Sequence, residues 1–257
     1  MIVAACLLAP SITLMFVGDV MLGRRAEMDL EAAKFVRAAD WAFANLECAL
    51  TSAPPVRRKL VNLGADPVRA SWLTDLGLDC VSIANNHTGD CGSMGFADTL
   101  AILRKHGVAP AGVRDEPVIQ RVQGRSIGVL AFTDFPRDTV DSVAVAEPQA
   151  ISAAVRDLRR KCDLLVVSFH WGVEGTTIPN GRQRNFAKLA AEAGADVVVG
   201  HGPHKVQPVE RIGNALVAYS LGDFVFDRKG ERVVWTIEWG ARGLAGRLTR
   251  LPKATAQ

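Results

Sequence analysis

Short apolar runs alternate along the chain with longer stretches in which apolar residues recur every three or four positions. Continuous apolar runs of five to eight residues, bounded by polar or turn residues, are typical of strands buried on both faces. RVVWTIEWG (232–240) is predicted to be a late antiparallel strand. The other strands are predicted at ITLMFV (12–17), DCVSIA (79–84), SIGVLAF (126–132), DLLVVSF (163–169), ADVVVG (195–200) and ALVAYSL (215–221).

The stretches between these runs have helical periodicity, and several of them end at glycine, which favours helix termination. Together they predict a layered α/β fold, with helices covering a mostly central sheet. The segment 53–66, which contains APPVRRKL, is predicted to be a loop over one end of the sheet. The predicted helices are AEMDLEAAKFVRAA (26–39), PVRASWLTDLG (67–77), GFADTLAILRKHG (95–107), PQAISAAVRDLRRK (148–161) and RQRNFAKLAAEAG (182–194).

Composition narrows the class of protein. A chain of 257 residues with 49% hydrophobic side chains can bury a large core, and we expect a single domain over 1–257. The net charge is +3 without a dense Lys/Arg cluster, which argues against a nucleic-acid partner. The five cysteines are scattered and include no CxxC pair, so neither a disulfide framework nor a thiolate zinc site is indicated.

The apolar N-terminal stretch MIVAACLLAPSITLMFVGD requires separate consideration. It lacks the basic residues that begin a signal peptide and contains Pro10 and Asp19. Its second half is better explained as the first buried strand, and the whole stretch is marginal in length for a membrane span. We therefore expect a cytoplasmic protein with no membrane partner.

Polar residues follow the carboxyl ends of these apolar runs, and four of the five histidines are among them. Ligands of open α/β sheets bind outside these strand ends, so the pattern predicts one shared site rich in metal-binding side chains. Each residue alone has a simpler explanation, such as a helix N-cap for Asp19 or a turn at NNHTGD. The residues are Asp19, Glu47, Asn85, Asn86, His87, His170, His201, His204 and Asp223.

At this point the chain resembles a known family. Its motifs, in order, are VGDVMLGR (17–24), NLE (45–47), ANNHTGDCG (84–92), FHWGVE (169–174), GADVVVGHGPHKVQPVE (194–210) and YSLGDFVF (219–226). They are similar to those of the CapA family, which is named for poly-γ-glutamate capsule synthesis. That family is similar in fold to the calcineurin-like metallophosphoesterases, so the resemblance implies a layered β-sandwich flanked by helices, with metal at the strand ends.

The resemblance also implies roles for individual residues. His87 matches a histidine that donates a proton, and Asp90 would orient it. His204 would lie near a second metal position. The expected catalytic group consists of His87, Asp90, His204 and Asp19. The implied metal ligands are Asp19, Glu47, Asn86, His170 and His201.

Two departures from the pattern change the expected chemistry. Phosphoesterases of this fold carry Asp-x-His at the first strand, whereas this chain has Asp19-Val20-Met21. Because a thioether is a poor ligand for hard divalent ions, we expect one firmly held metal and inefficient phosphate-ester hydrolysis. Asp223 stands where the family commonly has Asn and adds a carboxylate, so Ca²⁺, Mg²⁺, Mn²⁺ and Zn²⁺ all remain candidates.

A cation beside histidines and carboxylates is suited to acid–base chemistry at a carbonyl group. Some CapA-like proteins of ribosomal (lasso) peptide pathways epimerise a Cα, so the resemblance favours a peptide epimerase. The alternatives are poly-γ-glutamate synthesis or cleavage, a metal-dependent phosphoesterase and a non-catalytic binding module. The predicted partner is accordingly a peptide or polyglutamate. Arg24 and Lys205 are candidates to bind a substrate carboxylate, and Trp171 and Asp223 are further candidates to contact substrate.

Overall fold

The computed structural model describes residues 11–56, 59–227 and 230–252. The interpretation of the first ten residues lies outside this range. The helices are α1 (Leu30–Val36), α2 (Ser71–Asp75), α3 (Gly92–Lys105), α4 (Pro148–Arg159) and α5 (Gly181–Ala193). The strands are β1 (Ile12–Val20), β2 (Trp41–Leu46), β3 (Ala49–Leu50), β4 (Gly64–Ala65), β5 (Cys80–Ser82), β6 (Ala109–Ala111), β7 (Val118–Val122), β8 (Arg125–Thr133), β9 (Leu164–His170), β10 (Val197–His201), β11 (Val209–Ile212), β12 (Ala215–Ala218), β13 (Asp223–Val225), β14 (Val233–Gly240) and β15 (Gly243–Arg250).

These strands form two main sheets. The first has the order β15-β14-β1-β2-β5-β6, with β13 pairing with β1, and the second has the order β11-β12-β10-β9-β8-β7. The principal core contains Phe16 and Trp235 from the first sheet with Val166 and Val199 from the second, so it lies between the sheets. A second core contains buried side chains of β9, β10, α4 and α5. Helices therefore cover the outer face of the second sheet.

The six apolar runs predicted as buried strands are strands in the structure, and the predicted α/β class is confirmed. Strand β10 shows why the runs are continuous: Val197 and Val199 belong to the core between the sheets, whereas Val198 belongs to the core beneath the helices. The expectation of one mostly central sheet is wrong, because the strands divide into two sheets. The β-sandwich implied by the family resemblance is the observed arrangement.

The predicted helices are present but mostly shorter than their sequence patterns. The clearest case is 67–77, which consists of a 3-10 turn, Pro67–Ala70, followed by the short helix α2. The segment 53–66 is irregular as expected in its described residues, apart from β4. None of the helices in the described ranges combines the length and the apolar character that a bilayer crossing would need.

Strand register brings the polar strand ends together. Asp19 pairs in parallel register with Asn45 on one side and with Asp223 on the other, and His201 is in register with His170 in the second sheet. The approach of β13 to β1 requires glycine at Gly18, since a Cβ there would lie 2.0 Å from the carbonyl oxygen of Gly222. The fold thus concentrates carboxylates and imidazoles at one end of the sandwich.

Candidate metal centre

Asp19, Glu47 and His204 offer ligand atoms that all lie within 4.8 Å of one another. Asp19 lies at the end of β1, Glu47 directly follows β2, and His204 lies three residues after β10. Both carboxylates are buried, and buried charges in proteins are usually paired or coordinate a metal. Two carboxylates and an imidazole suit a range of divalent cations.

Asp19 is fully buried and has contacts on both carboxylate oxygens. Its Oδ1 accepts a hydrogen bond of 2.9 Å from Asn45 Nδ2, and its Oδ2 lies 3.3 Å from the backbone nitrogen of Gly202. The Nδ1 atoms of His201 and His204 are 3.3 and 3.2 Å away. Burial alone would raise the pKa of Asp19, but the two imidazoles outweigh it and hold that pKa well below its usual value. Asp19 is therefore ionised at neutral pH.

Glu47 Oε1 faces three imidazole nitrogens. The Nε2 atoms of His204, His87 and His170 lie 3.5, 3.9 and 4.0 Å from it. Atoms that bind one ion at about 2.1 Å each are separated by about 3 to 4 Å from one another. The spacing between Glu47 and His204 is therefore compatible with shared coordination of one cation.

His201 and Asn86, both expected ligands, supply further donor atoms. The His201 ring is fully buried, and its nitrogens make no well-directed hydrogen bond within the described part of the chain. The buried Oδ1 atom of Asn86 likewise has no hydrogen-bond partner among the described residues. Because buried polar atoms normally have partners, these atoms fit a site that holds a cation.

His170 and His204 differ in their protonation. Burial lowers the pKa of His170 to about 3, so this imidazole is neutral. Burial also acts to lower the pKa of His204, but Glu47, Asp19 and Asp223 outweigh it and raise that pKa to about 11. His204 also has a φ of +55°, in the left-handed region that residues other than glycine seldom adopt.

His87 forms a separate couple with Asp90, and the roles predicted for the two residues stay a prediction. His87 Nδ1 lies 2.7 Å from Asp90 Oδ2. Burial would raise the pKa of Asp90, but the contacts with His87, Lys59 and the Leu63 amide lower it. Because Asp90 occupies Nδ1, the other ring nitrogen of His87 is the one that faces Glu47.

Two residues of the site were not assigned from the sequence. Asn45 lies between Asp19 and His170, with its Nδ2 3.3 Å from His170 Nδ1, and its Oδ1 accepts a hydrogen bond from Asn85. Its place in the NLE motif is the only signal that could have identified it. Lys59 contacts Asp90 at 2.8 Å from within the 53–66 loop, and nothing in the local pattern distinguishes it from its basic neighbours.

Met21 occupies the position at which the Asp-x-His motif of phosphoesterases of this fold would place a histidine ligand. Its side chain is fully buried and belongs to the core between the sheets. Its Sδ accepts a hydrogen bond of 3.1 Å from the Gly23 amide. The position therefore contributes packing and a backbone contact.

The four proposed substrate-binding residues have different surroundings. Lys205 is exposed and lines a cavity of about 220 Å³ beside His204 and Asp223, so its assignment to a substrate carboxylate remains a prediction. Arg24 forms an ion pair of 2.9 Å with Asp227 at the surface. Asp223 lies 2.7 Å from His204 Nδ1, which makes it a partner of that imidazole.

The interpretation of Trp171 as a substrate-contacting wall is wrong, because its side chain is fully buried. It stacks on Phe169 with ring centroids 4.6 Å apart, and its Nε1 donates a hydrogen bond of 2.9 Å to the Tyr219 carbonyl. Proximity to His170 in sequence was misleading, because successive residues of an extended chain point to opposite sides.

We expect Trp171→Ala to lower the free energy of unfolding by about 3 to 5 kcal/mol, since it removes a large buried ring. Urea denaturation would measure this loss. Bound metal should be unchanged at temperatures where the variant is folded. Trp171→Phe keeps an aromatic ring but loses the hydrogen bond, and it should cost about 1 to 3 kcal/mol. Unchanged stability together with a raised KM would instead support the substrate wall.

Comparison with known proteins identifies the family. The family model described as bacterial capsule synthesis protein PGA_cap matches residues 13–228. The chain belongs to this family. Among PGA_cap relatives, the PGA biosynthesis protein CapA of Bacillus subtilis is 31% identical over 238 residues, which cover 83% of this chain and 63% of the relative. The capsule biosynthesis protein CapA of Bacillus anthracis is 28% identical over 249 residues, covering 84% and 60%. The chain thus spans less than two thirds of the length of either relative.

Solved structures of other proteins are similar to this chain in fold. A protein assigned as a 5′-nucleotidase from Staphylococcus aureus, solved with α-ketoglutarate, matches with a TM-score of 0.60 and 15% identity over 96% of this chain and 55% of that one. A 5′-nucleotidase from Candida albicans matches with a TM-score of 0.56 and 8% identity, covering 95% and 52%. At such identities the likeness concerns the fold alone, and it confirms the metallophosphoesterase-like architecture.

Proposed function

We propose that this protein is a metal-dependent enzyme that acts on amide bonds of a glutamate polymer of the poly-γ-glutamate type. Membership of the capsule synthesis family and the similarity to two CapA proteins support the substrate class. The observation that carries the chemistry is the His87–Asp90 couple beside the buried carboxylates Asp19 and Glu47. Such a couple is suited to move a proton next to a site of positive charge.

The proposed ligands are Asp19, Glu47 and His201, with Asn86, His170 and His204 available to complete the site. When bound, a divalent cation supplies positive charge that stabilises negative charge on a substrate carbonyl oxygen. Ca²⁺, Mg²⁺, Mn²⁺ and Zn²⁺ are all compatible with the mixed oxygen and nitrogen donors. Asp90 holds His87 with Nδ1 as the donor, so Nε2 is the atom that exchanges a proton with substrate.

Cleavage of a glutamyl amide requires proton transfer in both directions. Water, or the amine of another glutamyl chain, adds to the carbonyl carbon and loses a proton to His87 Nε2. The bond between the carbonyl carbon and the amide nitrogen then breaks, and His87 returns the proton to the departing nitrogen. Lys205, at the rim of the adjoining cavity, is the proposed contact for a substrate carboxylate.

Cα epimerisation of a residue in a ribosomally made peptide is the second candidate function. It is favoured by the second couple, in which Asp223 lies 2.7 Å from His204. The Nε2 atoms of His87 and His204 approach the same oxygen of Glu47, so two proton-carrying groups face one space. A Cα held between them could lose its proton to one imidazole and receive a proton from the other.

A labelling experiment separates these functions. Protein supplied in turn with each of the four cations is incubated with poly-γ-glutamate, or with a glutamate-containing peptide, in heavy water enriched in ¹⁸O. Shortened products that carry ¹⁸O, or lengthened chains formed by transfer, would support action on the amide bond. A full-length product with deuterium at one Cα and inverted configuration at that carbon would overturn action on the amide bond and would support Cα epimerisation.

The same samples are tested with a generic phosphodiester. We expect slow release of phosphate monoester, because Met21 leaves the site without the additional imidazole of the usual metal pair. Phosphodiester turnover far above that of the amide substrates would overturn the proposed function, as would inactivity on every substrate with all four cations. The Asp19→Asn variant shows whether any observed turnover belongs to this site.

A further inference from the structure

The described residues of the segment 56–63, which are Val56 and those from Lys59 to Leu63, include three that contact Asp90. The Val56 amide donates a hydrogen bond of 2.8 Å to the Asp90 carbonyl, and the Leu63 amide donates one of 2.7 Å to Asp90 Oδ2. Between these two points, Lys59 Nζ lies 2.8 Å from Asp90 Oδ1. The segment therefore contacts the backbone and both carboxylate oxygens of the residue that holds His87.

Lys59 differs from its neighbours in exposure. Its side chain is only 20% exposed, whereas Leu60 and Val56 are 103% and 65% exposed. Lys59 Nζ also lies 2.5 Å from the Asn86 carbonyl oxygen and 3.7 Å from Asp138 Oδ1. A lysine gives up side-chain entropy and hydration when it is buried, so this position is maintained by its specific ionic partners.

Asp90 uses its two oxygens for different contacts. Oδ2 contacts His87 Nδ1 and accepts a hydrogen bond from the Leu63 amide. Oδ1 accepts no well-directed hydrogen bond from the described residues, and its contact is the ion pair with the ammonium group of Lys59 at 2.8 Å. With an uncharged side chain at position 59, Oδ1 would lose the ammonium group that contacts it among the described residues, and the carboxylate could rotate towards other donors. Rotation would release the ring of His87 from its present orientation.

We infer that Lys59 is a positioning residue, which fixes the Asp90 carboxylate so that His87 keeps its Nδ1-protonated tautomer and its orientation towards Glu47. This inference rests on the proposed role of His87 as the proton carrier. Hydrogen-bond partners behind the ligands of a metal site typically contribute about 10- to 100-fold to affinity or activity, and we expect Lys59 to have an effect of this order. Lys59 acts from a loop that is distant in sequence from both histidine couples.

The test compares Lys59→Met and Lys59→Arg with Lys188→Met, a control at an exposed lysine of α5 that pairs with Glu192. Long-range ¹⁵N NMR of the imidazoles reports the tautomer of His87, and elemental analysis reports bound metal. In Lys59→Met we expect a mixture of His87 tautomers and a fall in kcat of about 10- to 100-fold, with unchanged KM and metal content. Lys59→Arg should restore the single tautomer and part of kcat, and the control should match the wild type.

An unchanged His87 tautomer in Lys59→Met would overturn the inference, and so would loss of metal in step with loss of kcat. If Lys59→Met does not fold, Lys59→Gln takes its place in the same comparison. The NMR and metal measurements need no substrate, so they decide the role of Lys59 even if the wild type is inactive on glutamate polymers. Inactivity of the wild type would count against the proposed function alone.

Discussion

Replacing Asp19 with asparagine is expected to remove bound metal and to lower turnover by about 10²- to 10³-fold. Asp19 is the fully buried carboxylate that contacts His201, His204 and Asn45. Asparagine has nearly the same shape but no charge, so the site loses the group that attracts a cation while the packing of β1 is kept. The fold should survive, because asparagine keeps the size of the side chain and the change lies at the end of β1.

Elemental analysis of protein purified without chelators, turnover of the labelled substrate and thermal unfolding together measure this effect. Asp157→Asn is the matched control, since Asp157 lies on the exposed face of α4 and pairs with the neighbouring basic residues Arg160 and Lys161. The control should keep both metal and activity. Full activity in Asp19→Asn with no metal bound would show that the reaction does not depend on this centre.

His87→Ala is expected to keep its metal and lose about 10²- to 10⁴-fold in kcat, which is the usual contribution of a general acid or base. The reason is geometric: His87 Nδ1 is engaged by Asp90, and its Nε2 lies 3.9 Å from Glu47. His201→Ala should instead lower metal occupancy, because His201 contributes buried nitrogens beside Asp19. Metal titration and kcat measured on both variants distinguish the two roles.

The control for both histidines is His106→Ala. His106 caps the carboxyl end of α3, where its Nδ1 lies 2.9 Å from the Ile102 carbonyl, and its loss should alter neither metal binding nor kcat. Equal loss of metal in His87→Ala and His201→Ala would make His87 a ligand. In that case the proton carrier would have to be sought in the His204–Asp223 couple.

The local pattern of apolar and polar residues was sufficient to predict the buried strands and the residues that lie near the site. A continuous apolar run such as VVVG is typical of a strand that is covered on both faces. The residue that follows such a run lies at the end of the sheet. For this reason the amino-acid sequence alone predicts that His201 at the end of β10 and His170 at the end of β9 lie at the same edge of a sheet. The edge strand β15 was missed because most of its residues are exposed and form no apolar run.

The tertiary structure alone decided which groups face one another across the site. The division into two sheets, the burial of Trp171, the pairing of His204 with Asp223 and the reach of Lys59 to Asp90 all depend on contacts between segments far apart in the chain. A sequence pattern shows that a residue lies at a strand end, but not which neighbour its side chain meets there. That direction is set by strand register and by packing between the layers, which are properties of the whole folded chain.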